Sequence, residues 1–287
     1  TAAWVGKPGE DGTAIEVMEM PEATCGGCAP EVESTTEDFS DLALASIAML
    51  YDLGSQVVLP PGYLCCGYPQ AAAGQREQGH RITTENRVLF HRVANTLNYM
   101  DIKTVIVSCG TCMDQLQSYE FEKIFPGCRL LDIHEYLLEK GVKLDGATGR
   151  RYLYHDPCHT PMKTHNPLKV TRELTGSEVQ LSDRCCGESG TLGTSRPDIA
   201  SQLRFRKSEE LLTGIRSLTG KERAEESQTK LLTSCPACQQ GLAKYADETG
   251  LKTDYIVVEM ASQLLGDGWQ QRFLDRLAKD GIERVLL

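Results

Sequence analysis

The tripeptide Cys-Cys-Gly occurs twice in this chain, in "YLCCGYPQ" from Tyr63 to Gln70 and in "DRCCGESG" from Asp183 to Gly190. The side chains of adjacent residues diverge, so two neighbouring cysteines rarely close a disulfide with each other. The repeated pair constrains the fold because something other than its own disulfide must require two sulfur atoms side by side.

The cysteines form two sets with the same internal order. Each set contains a single cysteine, a Cys-Cys-Gly pair and a Ser-Cys-x-x-Cys motif, and the pair is separated from that motif's first cysteine by 42 residues in the first set and 48 in the second. Five cysteines repeated in order indicate two homologous sites. The remaining Cys128 is interpreted as a small buried apolar residue. The first set is Cys25 or Cys28, Cys65, Cys66, Cys109 and Cys112; the second is Cys158, Cys185, Cys186, Cys235 and Cys238.

Length and composition narrow the class of protein. The 287 residues allow one large domain or two ordinary domains. A net charge of −10 argues against nucleic acid or an anionic membrane as the main partner. With no apolar run of about 20 residues and no opening signal peptide, we expect a cytoplasmic protein without a membrane span. The start without Met indicates a processed or trimmed chain, or the tail of a longer polypeptide.

The flanking segments predict the fold class. Apolar runs rich in β-branched residues end at cysteines, as in "KTVIVSCGTC" and "RYLYHDPCH", and segments with helical spacing follow. This alternation predicts an α/β protein with two similar α/β halves, 1–145 and 146–287. Each half is expected to be a small, mainly parallel sheet with flanking helices and cysteine loops at strand carboxyl ends. The linker is placed at 139–150, and "IVVEMASQLL" to the end is expected to give a strand, two helices and a short apolar end.

Clustered thiolates point to metal or redox chemistry. In a reducing compartment, thiolates select zinc, copper(I) or iron–sulfur clusters. A zinc site uses four ligands and leaves one cysteine of each set idle, whereas disulfides need an even number. The compact ferredoxin run that holds a simple cubane is absent from the sequence. Five cysteines from three loops suit a larger or unusual cluster. In such a cluster the adjacent pair binds two different irons, or one of its sulfurs bridges neighbouring metals.

The order of these motifs resembles the duplicated cysteine-rich (CCG) domain family. That family includes the cysteine-rich subunit of heterodisulfide reductase and the iron–sulfur subunits of glycolate oxidase, anaerobic glycerol-3-phosphate dehydrogenase and lactate-utilisation systems. The segments "YHDPCH" and "RCCGESGTLG" are similar to the second copy in the 2-hydroxyacid oxidases. The closing "GIERVLL" resembles the end of long FAD-linked oxidases that carry this domain at their C-terminus. The resemblance covers roughly residues 25–287.

The resemblance implies one or two 4Fe-4S clusters, of the noncubane type in the heterodisulfide reductase branch. Cys158 and the other four cysteines of its set would hold one cluster, and the first set would hold the other. "TCGGC" offers both Cys25 and Cys28, which leaves zinc, a degenerate cluster or an empty site open for the first half. We interpret Gly187 as a backbone donor to cluster sulfur and His159 as a hydrogen-bonding neighbour that tunes the cluster.

Three functions follow from these alternatives. The first is the iron–sulfur electron-transfer component of a flavin-linked oxidoreductase for a 2-hydroxy acid of the lactate or glycolate type. In this hypothesis the FAD lies on another domain or subunit, and catalysis requires that flavin part. An electron carrier accepts the electrons, and any contact with the inner membrane is made through partners. The second is a disulfide or heterodisulfide reductase that acts at the cluster. The third is a zinc-stabilised module that docks a partner.

Overall fold

The computed structural model describes residues 2–5, 15–18, 36–61, 64–146, 148–187, 192–280 and 282–285. Cys25 and Cys28 lie outside these ranges. The strands are β1 (Ala2–Val5), β2 (Ile15–Met18), β3 (Gln56–Leu59), β4 (Ile102–Val107), β5 (Arg129–Asp132), β6 (Arg151–His155), β7 (Val179–Ser182), β8 (Thr229–Thr233), β9 (Lys252–Tyr255) and β10 (Ile282–Val285).

The helices alternate with these strands over most of the chain. They are α1 (Thr36–Asp52), α2 (Tyr68–Ala72), α3 (Arg76–Thr96), α4 (Gly110–Leu116), α5 (Phe121–Ile124), α6 (Ile133–Glu139), α7 (Pro167–Thr175), α8 (Leu192–Ser195), α9 (Pro197–Thr219), α10 (Pro236–Ala243), α11 (Ala246–Thr249), α12 (Ile256–Leu265) and α13 (Trp269–Asp280). Within the described ranges, none of these helices combines the length and the apolar character that crossing a membrane requires.

The two halves share one sheet topology. The strand order β3-β2-β4-β5 in the first half matches β7-β6-β8-β9 in the second. All neighbouring pairs within these two sets of four strands are parallel. The expected α/β class, with two similar halves built on mainly parallel sheets, is therefore confirmed.

The first sheet also carries two strands that the second lacks among the described residues. β1 pairs antiparallel with β3, and β10, from the C-terminal end of the chain, pairs antiparallel with β1. The strand that follows α13 thus joins the sheet of the first half. The predicted boundary at 145/146 falls between α6 and β6, and as a division into domains it stays a prediction.

One sequence-based assignment near the C-terminus is wrong. "IVVEMASQLL" is helix α12, and the strand expected there is the preceding segment "KTDY", β9. The run of β-branched residues predicts a strand, but the first six residues of α12 are all buried. A helical segment that is buried on all sides gives no 3.6-residue period to distinguish it from a buried strand.

A shared hydrophobic core joins the halves. Helix α1 packs against α12 and α13, and Leu50 from the first half lies in the same buried cluster as Tyr152 and Val257 from the second. Each sheet has a further apolar cluster on its other side, around Phe90 in the first half and around Ile215 in the second. The two cysteine regions are therefore held in one packed structure.

Candidate metal centres

The cysteines follow the carboxyl ends of equivalent strands. Among the described residues, one Cys-Cys pair follows β3 and the other follows β7, while the Cys-x-x-Cys motifs follow β4 and β8. Cys158 follows β6. Because the carboxyl ends of parallel strands meet at one edge, each set converges on one region, as ligands do in open α/β sheets.

Each Cys-x-x-Cys motif makes the same strand-to-helix transition. Cys109 is the N-cap of α4 and Cys235 is the N-cap of α10, both with extended backbone. The second cysteine, three residues later, lies on the first helical turn, and residues at this spacing share a helix face. The local sequence therefore directs both sulfurs of each motif toward the edge of the sheet.

In the first half, the described cysteine sulfurs make a connected group. Sγ of Cys112 lies 3.5 Å from Sγ of Cys66. Hydrogen bonds from Cys112 and then Cys65 lower the pKa of the Cys66 thiol to about 4. The hydrogen bond from Cys112 also lowers the pKa of Cys109, to about 6. The same hydrogen bonds, to Cys109 and then to Cys66, raise the pKa of Cys112. The arrangement therefore favours thiolate, the form of cysteine that binds metal, at Cys66 and Cys109.

The second half repeats this geometry. Sγ of Cys186 lies 3.5 Å from Sγ of Cys238. Hydrogen bonding of Cys238 to Cys186 and Cys235 raises the pKa of the Cys238 thiol. Burial, then the charges of Cys185 and Cys186, raise the pKa of Cys158, which also hydrogen-bonds Cys185. All five cysteines of this set are thus brought together.

The separation of these sulfurs fits metal ligation. Two thiolates on one tetrahedral ion, with bonds of about 2.3 Å, lie about 3.8 Å apart. The 3.5 Å separations in the two halves are close to that value. The donor set of soft sulfur atoms is the one that iron–sulfur clusters and zinc prefer. The residues present therefore fit a metal or cluster in each half.

The glycine of each Cys-Cys-Gly motif lets the loop turn back at the site. Gly67 and Gly187 both have positive φ, at 86° and 78°. A residue with a Cβ is strained in this region, so glycine is favoured. The N–H of Gly187 donates to Sγ of Cys185 at 3.4 Å.

A tyrosine supports the cysteine pair in each half. The hydroxyl of Tyr119 donates to the carbonyl of Cys66 at 3.2 Å, and that of Tyr245 donates to the carbonyl of Cys186 at 3.3 Å. Both tyrosines are buried and both follow the last cysteine of their Cys-x-x-Cys motif by seven residues. Sequence reasoning missed them, although this shared offset is readable in "SCGTCMDQLQSY" and "SCPACQQGLAKY".

A histidine at the end of β6 reaches the second group of sulfurs. A ring nitrogen of His155 lies within 4.8 Å of Sγ of both Cys186 and Cys238, and all three side chains are buried. Nδ1 of His155 lies 3.3 Å from the carbonyl oxygen of Ser182 and 3.3 Å from Nζ of Lys207. Nε2 is buried and has no hydrogen-bond partner among the described residues. The residue therefore has one nitrogen left for the site.

His159 lies against the first half, although it adjoins Cys158 in the sequence. Its Nδ1 is 2.6 Å from Oδ2 of Asp114 on α4, and its Nε2 is 3.4 Å from the hydroxyl of Tyr68 on α2. Lys163 binds the other oxygen of Asp114 at 2.7 Å. Partial burial opposes ionisation of Asp114, but hydrogen bonds from Lys163 and His159 outweigh it and lower its pKa.

The first half also shapes the loop that carries Cys158. Glu135 on α6 accepts hydrogen bonds from the backbone N–H groups of Lys163, Thr164 and His165. Burial raises the pKa of Glu135 despite these donors. On α4, a Cβ added to Gly110 would overlap the carbonyl group of His159. The loop thus rests directly on the helix that carries Cys112.

Tyr255 links the two Cys-x-x-Cys motifs. Its buried hydroxyl contacts the carbonyl oxygens of Ser108 and Ser234, the latter at 2.7 Å. Each serine immediately precedes the first cysteine of its motif. Burial, and then the charge of Asp132, raise the pKa of Tyr255, so the residue remains a neutral hydroxyl between the two sites.

A cavity opens beside the second site. Its volume is about 390 Å³, and it is lined by Arg184, Cys185, Leu203, Arg206 and Glu209. Cys185 thus connects the cysteine group to a space that a small molecule could enter. Two arginines and one glutamate line this space, so its lining carries a net positive charge, which favours an anionic occupant.

Comparison with known proteins agrees with this geometry. The family described as "Cysteine-rich domain" (CCG) matches twice, over residues 26–117 and 152–243. The chain belongs to the CCG cysteine-rich domain family. Residues 243–287 match a second family, described as "Domain of unknown function (DUF3400)". No solved structure matches the chain.

Several curated relatives are iron–sulfur proteins or oxidoreductase subunits by name. An uncharacterized iron–sulfur protein of Methanococcus maripaludis is 25% identical over 87% of this chain and 47% of its own length. A fumarate reductase (CoM/CoB) subunit of Methanothermobacter marburgensis is 26% identical over 74% of this chain and 40% of its length. A probable glycolate oxidase iron–sulfur subunit of Bacillus subtilis is 22% identical over 88% of this chain and 56% of its own length. The chain spans about half the length of these relatives.

Proposed function

We propose that this chain is the iron–sulfur electron-transfer part of a flavin-linked oxidoreductase. The observation that carries the proposal is the repeated sulfur geometry, with Cys66 and Cys112 in one half matching Cys186 and Cys238 in the other at 3.5 Å. A bound cluster would supply one-electron chemistry at each site. Cys65 and Cys109 complete the described first set, while Cys158, Cys185 and Cys235 complete the second.

The chain's own residues prepare both sites for such a cluster. Low thiol pKa values at Cys66 and Cys109 make these two residues available as thiolates, with Cys112 as their hydrogen-bond donor. The N–H of Gly187 meets the sulfur of Cys185, a contact that holds charge on sulfur. In the first half, Cys25 and Cys28 remain our candidates for the fifth ligand, and zinc remains an alternative occupant there.

The rest of the proposed reaction lies outside this chain. We assign the flavin to a further domain or another subunit, since the relatives that the chain covers by about half include a glycolate oxidase iron–sulfur subunit. By the same argument the substrate is a 2-hydroxy acid of the glycolate or lactate type, and an electron carrier accepts the electrons. We place the process in the cytoplasm, where thiols stay reduced, with contact to the inner membrane through partners.

The cavity at Cys185 supports a second candidate function. Arg184 and Arg206 beside an accessible cysteine suit an anionic disulfide. Its reduction would take two electrons and two protons to give two thiols, delivered in one-electron steps from a cluster. Arg206→Ala in the reconstituted protein should then raise the KM for a small anionic disulfide with reduced viologen as donor. Absence of disulfide turnover by the iron-loaded protein would exclude this candidate.

The proposed function is tested first by metal content. Protein purified without oxygen should contain about eight iron atoms and eight sulfides per chain if two 4Fe-4S clusters are present. Cys66→Ala and Cys186→Ala should each remove about half, from different halves. Cys128→Ala is the matched control, since Cys128 is buried against apolar residues and burial raises its pKa to about 11.

Two outcomes would contradict the assignment. Full iron and sulfide in both Cys66→Ala and Cys186→Ala would remove these residues from the sites. Zinc without sulfide after reconstitution would favour the zinc-stabilised docking module instead. For the flavin link, glycolate or lactate added to the full natural polypeptide or complex should reduce flavin and cluster, and Cys186→Ala should stop only cluster reduction.

A further inference from the structure

We infer that His155 is a nitrogen ligand to the metal at the second cysteine site. The inference rests on the proposed function only in taking that metal to be iron. His155 is 1% exposed. One of its two ring nitrogens lies within 4.8 Å of the sulfurs of Cys186 and Cys238.

The hydrogen bonds of Lys207 decide which nitrogen of His155 carries the proton. A lysine ammonium has three N–H donors. Nζ of Lys207 has three acceptors closer than the imidazole, namely Ser182 Oγ at 2.6 Å, Arg184 O at 2.7 Å and Glu210 Oε2 at 2.8 Å. These use all three protons, so Lys207 has none left for His155 Nδ1 at 3.3 Å.

Nδ1 of His155 is therefore the protonated nitrogen. Its N–H donates to the carbonyl oxygen of Ser182, at 3.3 Å. An uncharged Lys207 would give the same result, because its lone pair would accept from Nδ1–H. The lone pair of the imidazole then lies on Nε2, which is buried and has no hydrogen-bond partner among the described residues. A backbone carbonyl that fixes the tautomer in this way is the usual support of a metal-bound histidine.

An unpaired buried nitrogen destabilises the folded protein, and ligation removes that cost. The soft groups that the structure brings within 4.8 Å of a ring nitrogen of His155 are the thiols of Cys186 and Cys238. Histidine replaces cysteine on one iron of Rieske centres and raises their reduction potential. The first half has no matching imidazole in sequence, since no histidine precedes His80 in the chain. The inference thus makes the two sites chemically different.

The experiment is pulsed EPR and X-ray absorption on anaerobically reconstituted protein labelled with ¹⁵N-histidine. We expect a strong coupling from an iron-bound nitrogen, with the nuclear signature of the label, and its loss in His155→Gln. His159→Gln is the matched control, because that histidine adjoins Cys158 but contacts Asp114, and it should retain the coupling.

The result separates the inference from the proposed function. Full iron and sulfide with no strong histidine coupling, or a coupling that survives in His155→Gln, would overturn the ligand assignment alone. Absence of iron and sulfide would overturn the proposed function, and a zinc X-ray absorption spectrum would still count nitrogen neighbours at about 2.0 Å. If His155→Gln does not fold, the other five histidines are each replaced with glutamine, at positions 80, 91, 134, 159 and 165. A coupling retained in all five variants assigns it to His155, and its loss in one of them refutes the inference.

Discussion

Replacing Gly110 with alanine tests whether the loop of the second half rests on the helix of the first. Gly110 is the first residue of α4, between Cys109 and Cys112. Its φ is not in the left-handed region, so alanine is compatible with the backbone. On helix propensity alone, the change should stabilise the protein by up to about 1 kcal/mol.

The structure predicts the opposite sign. A Cβ at Gly110 would overlap the backbone carbonyl of His159. An ordinary contact of about 3.5 Å would require the loop to retreat by roughly 2 Å. Overpacking of this kind costs typically 1–3 kcal/mol, and the obstacle here is backbone that cannot rotate away. We expect a loss of about 3 kcal/mol, which lowers the Tm by roughly 6–10 °C.

The assay is thermal unfolding of reduced protein, with the alkylation rate of Cys158 as the local readout. Displacement of the loop should lower the Tm and speed alkylation. Gly149→Ala is the matched control, because a Cβ there meets no atom within 4 Å and the cost is only that of φ at +61°, about 1–2 kcal/mol. An unchanged or higher Tm for Gly110→Ala would refute the packing of the two halves at this point.

The other predictions concern buried hydrogen bonds. Tyr119→Phe and Tyr245→Phe each remove the hydroxyl that donates to the carbonyl of a paired cysteine. Each change should lower the free energy of unfolding by about 1–3 kcal/mol. It should also speed the release of metal from its own half only, as measured by metal-release rates. Glu259 is buried, and its pKa is lowered because Lys230 and Arg150 outweigh the desolvation that opposes ionisation. A carboxyl group whose pKa is lower in the folded state stabilises the protein at pH values above its unfolded-state pKa. This stability is lost as the pH falls through the folded-state pKa. Glu259→Gln should therefore lower the free energy of unfolding, measured with urea, by about 3 kcal/mol at pH 7 and by less at pH 3. An equal loss at the two pH values would contradict the ion pairing.

Local sequence predicted the elements that carry the cysteines. The run "KTVIVS" became β4, and the segment after Cys109 became α4, because a β-branched run followed by helical spacing has few alternatives. The repeated order of the cysteines predicted two similar sheets, because each cysteine motif follows a strand of the same kind in both halves. The prediction of a strand at the start of helix α12 was wrong because its first six residues are all buried, which removes the amphipathic period there.

Contacts between the halves were beyond such reasoning. His159 adjoins Cys158, so proximity in sequence predicted a role at the second site, whereas adjacent side chains diverge and the imidazole meets Asp114 of the first half. His155 enters the second group of sulfurs through the strand register of β6 and β8, which pairs it with Thr233. The pairing of distant strands sets these positions, and no local pattern encodes it.

These contacts make the two cysteine sites interdependent. The loop with Cys158 takes its shape from Glu135 and Gly110 of the first half. The hydroxyl of Tyr255 has one proton for two carbonyl acceptors, one before each Cys-x-x-Cys motif. If either motif shifts, the hydroxyl proton of Tyr255 is shared differently between the two carbonyl oxygens. The hydrogen bond to the other motif then changes in strength. The duplication thus yields two similar sulfur groups on one shared support, in which metal loading of one half should alter the affinity of the other.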